Sequence, residues 1–265
     1  MPAAIKLQEE YGDALQVIFV ESQNSGFGKS IGMATKSGWL GNQAIWTNQY
    51  LFSTGGNGLP AFALLDGEGK VVLKGSSNSM HGQIKDSIAE MVKASGGAPA
   101  DVPTKVAKVY STLEKGSYAK AIVLAEKVIA KPGSKDTDVI LAAAEASLEA
   151  AEAKFAGQLA RADWLLANGF PMRAKDIATG LAKGAKGNDG LSTRAKALVT
   201  KLEGEDLKTE FAAAKDLAKL ESALYADGGS DKLVKKLNEI ADENAGTPIS
   251  KRAKNLVEVA KYSQM

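Results

Sequence analysis

Gly58-Leu59-Pro60-Ala61-Phe62-Ala63-Leu64-Leu65-Asp66-Gly67-Glu68-Gly69-Lys70-Val71-Val72-Leu73-Lys74 carries the sharpest structural signal in the chain. Two apolar runs flank a short acidic turn that contains glycine. Strand-favouring side chains on either side of Asp-Gly predict a β-hairpin, because glycine supplies the positive φ of a tight turn. Pro60 suits the first position of a strand, where its missing N–H breaks no ladder bond. Gly75 and Asn78 lead out of the hairpin into a helix predicted from about Met80 to Lys93, with Ile84, Ile88 and Met91 on one face.

Upstream, Met1 to Tyr11 predicts a helix with Pro2 in its first turn, and Gly12-Asp13 ends it. Leu15-Gln16-Val17-Ile18-Phe19-Val20 is a nearly continuous run that suits a strand buried on both faces. Glu21 to Gly26 is a loop, Phe27 to Gly38 a helix and Ala44 to Thr47 a short strand. Ser53 to Gly58 is a glycine-rich loop.

Downstream, Gly96 to Pro103 has the composition of a linker. Every later segment has helical period. The predicted helices are Pro103–Glu114, Tyr118–Ala130, Thr137–Ala167, Met172–Lys183, Leu191–Leu202, Leu207–Tyr225, Asp231–Glu243 and Ser250–Tyr262. Glycine and proline separate them, notably at Gly116, Pro132-Gly133, Gly169 with Pro171, and Gly228-Gly229. A faint repeat aligns Gly116-Ser-Tyr-Ala-Lys-Ala121 with Gly169-Phe-Pro-Met-Arg-Ala174. Helix pairs stacked in the manner of tetratricopeptide repeats would produce it, although the Trp/Tyr pattern of that repeat is missing. A helical repeat is favoured over a compact bundle for residues 104–265.

The order helix, buried strand, insertion, Leu-Pro, strand, acidic turn, strand, helix resembles the thioredoxin fold, and within it the TlpA-like and peroxiredoxin-like (AhpC/TSA-type) branch. Met1 to Gly12, Gln16 to Val20 and Gly58 to Val72 carry the resemblance, which covers residues 1–95. It implies an α/β thioredoxin-like domain over 1–95, a linker over 96–103 and an all-helical domain over 104–265. It implies a cis Pro60 and makes Leu59 and Pro60 the substrate-facing residues. Pro2 matches the proline that follows the redox C-x-x-C. The dithiol and the central strand before it would then lie upstream of Met1, so the chain looks like a truncated start and residues 1–95 are expected to be poorly stable alone. An extracytoplasmic parent is implied by the resemblance only.

Composition narrows the chemistry. The 265 residues suggest one or two domains, and 45% hydrophobic residues can supply a sizeable core. There is no cysteine, which excludes dithiol chemistry, disulfides and thiolate metal sites. His81 is the only histidine, so triads and multi-histidine metal centres have little to draw on. The net charge is +2 with the two signs interspersed, which points to no nucleic-acid partner. No apolar run is long enough to span a membrane, and Met1 to Glu10 does not read as a signal peptide. No catalytic residue, metal or cofactor is expected.

The remaining candidates have plainer explanations. Ser25-Gly-Phe-Gly-Lys-Ser30 imitates a phosphate-binding loop, but Gln23 occupies the first glycine position of that motif. Gly55-Gly56-Asn57-Gly58 is a turn before a strand. Trp39, Trp46 and Trp164 are expected to pack in cores. Glu9 and Glu10 form a solvated face, and His81 is an exposed or capping residue. Three functions compete. The first is a fragment or degenerate member of a thiol–disulfide oxidoreductase lineage, redox-inactive for want of cysteine. The second is a non-enzymatic interaction scaffold whose helical repeat binds a protein or peptide partner. The third, weakest, is nucleotide binding through Gly28-Lys29-Ser30.

Overall fold

The computed structural model describes residues 2–11, 15–21, 25–39, 44–46, 60–66, 69–95, 102–133 and 135–264. The chain divides into two compact units, Met1–Ala100 and Asp101–Met265.

In the first unit, α1 (Pro2–Tyr11), β1 (Phe19–Glu21), α2 (Phe27–Lys36) and β2 (Ala44–Trp46) precede β3 (Ala61–Leu65), β4 (Val71–Ser76) and α3 (His81–Ser95). β1 and β2 pair in parallel, Phe19 opposite Ala44, with α2 between them in the chain. β3 and β4 form the antiparallel hairpin, Ala61 opposite Ser76 and Leu64 opposite Leu73, with a register shift at Leu65. Asp66 holds the turn: its N–H donates to the Lys70 carbonyl and its carboxylate accepts from the Lys70 N–H, both at 2.9 Å.

This unit corrects the thioredoxin-like α/β assignment. The described strands make two separate two-stranded sheets rather than one central sheet. The chain as a whole has eleven helices and four short strands among its described residues. A hairpin signature specifies a turn and a register, and it is silent on which larger sheet, if any, the hairpin joins. The strand expected over Leu15 to Val20 shrinks to Phe19–Glu21. Gln8 of α1 explains part of that: its side-chain carbonyl accepts the Val17 N–H at 2.7 Å, which removes that donor from a ladder. The run is not buried on both faces either, since Ile18 and Val20 are exposed. Gly75 lies inside β4 rather than after it. Gly12-Asp13, Gln23, Gly55 to Gly58 and Gly96 to Ala100 lie outside the described residues.

The second unit is helical throughout its described residues: α4 (Thr104–Glu114), α5 (Tyr118–Ala130), α6 (Thr137–Ala167), α7 (Pro171–Gly184), α8 (Asp189–Leu202), α9 (Glu205–Asp227), α10 (Asp231–Glu243) and α11 (Pro248–Tyr262). From α4 to α8 each helix packs on its successor, and α9, α10 and α11 pack on one another. The faint repeat has a structural meaning. Gly116 (φ 67°) and Gly169 (φ 79°) both end a helix in the left-handed conformation, which glycine adopts without a Cβ penalty. Two residues later a new helix starts, and Ala121 and Ala174 then sit fully buried at equivalent positions. Such alanines let helix axes approach closely, as do Ala125, Ala178, Ala144 and Ala151.

The last three helices share a core of Leu217, Leu224, Leu237, Ile249, Ala253 and Val257. Full burial of each large side chain contributes about 1.5–3 kcal/mol before entropy. Side-chain caps set the starts: Ser230 accepts from Leu233 N–H at 3.2 Å, and Thr247 from Ser250 N–H at 3.2 Å. The α9–α10 turn is pressed onto α11. Gly229 donates its N–H to the Ser263 carbonyl at 3.2 Å, and a Cβ there would lie 1.8 Å from the Ala260 carbonyl oxygen. Gly229→Ala must therefore displace backbone, and it is expected to cost about 1–3 kcal/mol. Urea unfolding followed by circular dichroism measures it; an unchanged midpoint would show that this turn does not seat on α11.

Candidate functional site

Leu59, one of the two residues assigned a substrate-facing role, lies outside the described residues. Pro60 is exposed ahead of β3, and its carbonyl accepts from the Ser77 N–H at 3.0 Å and the Ser77 hydroxyl at 3.2 Å. That arrangement ties the hairpin ends together. With the thioredoxin-like sheet corrected, the substrate-facing role has lost its premise.

Gly28-Lys29-Ser30 does follow a strand and open a helix. However, the Ser30 hydroxyl donates to the Glu21 carboxylate at 3.2 Å, and the Ser25 hydroxyl donates to the same group at 3.2 Å. Both hydroxyls are thus engaged with a carboxylate of the chain. Lys29 lines a shallow hollow along α2 with Gly32, Met33 and Lys36. His81 is the first residue of α3 and is exposed, as are Glu9 and Glu10. Trp39 packs its ring 6.0 Å from that of Phe19 on β1. The side chain of Trp46 is outside the described set. Trp164, expected in a core, is 60% exposed. It follows Ala162 and precedes Leu165 and Leu166, which take the buried face of α6 and leave position 164 on the outer one. No group of three or more His, Asp or Glu side chains placed to hold a metal ion occurs among the described residues.

The hollow that residues from several helices build together lies in the second unit. It has a volume of about 370 Å³ and opens between the α4–α5 turn, α6 and α7. Its floor is made by Tyr118 and Leu181, both buried. The Tyr118 ring stands edge-on to Phe155, with centroids 5.2 Å apart, so the floor is fixed to the core of α6. α7 supplies one wall with Ile177, Gly180 and Gly184, spaced three and four residues apart on one helix face. Gly184 is required there: a Cβ would lie 1.9 Å from the Gly116 carbonyl oxygen. Gly180 is different, because a Cβ would meet nothing within 4 Å. It leaves open space where most helices carry a side chain.

The rim is cationic. Lys115 and Lys183 line it and no carboxylate does. Gln158 adds an amide, and Ser117 adds a hydroxyl that makes no cap hydrogen bond with α5. None of these residues was singled out from sequence as functional, although Gly116 to Tyr118 fall in the faint repeat. Two glycines four apart in Gly180-Leu-Ala-Lys-Gly184 were the available signal, since each costs about 1 kcal/mol against alanine in a helix.

A second polar cluster joins α7 to α9 and α11. Arg252 lies 4.0 Å above the Phe170 ring, donates to the Gly169 carbonyl at 3.1 Å and pairs with Glu221. The Tyr225 hydroxyl donates to Glu221 at 2.9 Å. Burial, reinforced by the Glu221 carboxylate, pushes the Tyr225 phenol well above the ordinary tyrosine range, and burial raises Tyr110 and Tyr118 as well. A raised folded pKa keeps the neutral phenol in the folded state, so its stabilisation is complete below pH about 10 and is lost as pH rises beyond that. Alkaline titration by ultraviolet absorbance is expected to show a late-ionising component that Tyr225→Phe diminishes. Ionisation of all tyrosines in the ordinary range with the fold intact would contradict this packing.

Comparison with known proteins finds no family model, no curated protein and no solved structure that matches this chain. No described helix is long and apolar enough to cross a membrane.

Proposed function

We propose that the chain is a non-enzymatic protein-interaction scaffold whose helical unit is the binding domain. The observation that carries this is the open groove between the α4–α5 turn, α6 and α7. It is bounded by backbone-level contact at Gly116 and Gly184, so its shape is set before any partner arrives. Its lining mixes an apolar floor with a few polar groups, as peptide grooves do. Stacked helix pairs expose such surfaces because each pair buries only the faces it turns to its neighbours.

A random peptide library displayed against the full chain tests the proposal. Selection is expected to converge on a motif, and hydrogen exchange with a selected peptide is expected to show protection confined to the helical unit. Failure to converge, or protection confined to residues before Asp101, would overturn it.

A further inference from the structure

Resting on that interaction reading, we infer that the groove takes an acidic peptide, with carboxylates at Lys115 and Lys183 and a compact apolar side chain in the space over Gly180. Charge complementarity selects this occupant. Lys115 and Lys183, distant in sequence, stand together on the rim of one hollow that no carboxylate lines. Two like charges around a shared hollow attract an anionic ligand and repel a cationic one. Gln158 and Ser117 offer hydrogen bonds to the main chain of an extended peptide. Gly180 lies between Ile177 and Leu181 in the lining, and a Cβ there would meet nothing within 4 Å, which leaves room for a peptide side chain against α7.

Fluorescence anisotropy on the full chain decides it, using three fluorescein-labelled probes: Glu-Asp-Leu-Asp-Glu, Gln-Asn-Leu-Asn-Gln and Lys-Lys-Leu-Lys-Lys. The acidic probe is expected to bind about tenfold tighter than the neutral one, the scale of two exposed ion pairs, and to weaken with added salt. Lys115→Glu with Lys183→Glu should abolish that preference and favour the basic probe. Gly180→Leu fills the gap at an exposed helical site, so it should weaken the acidic probe at least tenfold while the melting temperature stays the same or rises. That variant separates loss of the site from loss of the fold. Equal binding of acidic and neutral probes, or acidic binding that ignores both variants, would overturn the inference. A motif selected from the library that binds elsewhere on the helical unit would overturn it too, and would leave the scaffold proposal standing.

Discussion

Phe155→Ala is expected to cost the helical unit about 3–5 kcal/mol, the range for removing a fully buried aromatic ring. Phe155 sits on α6 with no solvent exposure. Tyr118 of α5 meets its edge at 5.2 Å, and the Arg194 guanidinium of α8 lies 5.2 Å from its centroid. Three helices therefore converge on one ring, and none of them can close the void without leaving its other partners. Arg194 also pairs with Glu152 on α6, but both groups are well exposed, so that pair contributes little. Urea unfolding followed by circular dichroism gives the loss. The acidic probe should bind more weakly as well, since Tyr118 floors the groove. A loss below about 1 kcal/mol would mean that α6 packs by another face.

Arg252→Ala ranks next, at about 2–4 kcal/mol. It removes a cation from the Phe170 ring, a bond to the Gly169 carbonyl and the ion pair to Glu221. Side-chain exposure is only 14% for Arg252 and 21% for Glu221, so the stranded carboxylate is poorly solvated. Breaking a fully buried pair costs about 3–5 kcal/mol, and the residual exposure here lowers that somewhat. The double variant Arg252→Leu with Glu221→Leu should recover part of the loss, because it leaves no unpaired charge. A double variant worse than the single one would show that the charges themselves, not their pairing, hold α7 to α9 and α11.

The helical half was legible for a physical reason. Helix formation is governed by residues three and four apart, so apolar period and glycine or proline breakers mark its limits. The periodicity marks Tyr118–Ala130, Thr137–Ala167 and Asp231–Glu243, which are the bounds of α5, α6 and α10. The first hundred residues were less so. The hairpin turned at Asp66 as its local chemistry required. Which strands share a sheet depends on partners distant in sequence, and there the thioredoxin-like order misled. Trp164 went astray similarly: a large ring on a helix defaults to burial, yet the neighbours at Ala162, Leu165 and Leu166 claimed the inner face. The groove was invisible because Lys115 and Lys183 are 68 positions apart and become neighbours only through the Gly116–Gly184 contact.

By itself, then, the sequence of this protein determined that no thiol chemistry occurs, where the helices of its second half start and stop to within about two residues, and that Asp66 begins a turn. Those properties depend on residue identity or on spacing within a few positions, and local hydrogen bonding and sterics suffice for them. Tertiary structure alone decided that the hairpin stays apart from the β1–β2 pair, that Arg252 reaches Phe170, and that two lysines share one hollow. Each is a meeting of distant residues, chosen by which packing buries the most surface at the least strain, and no local pattern encodes it.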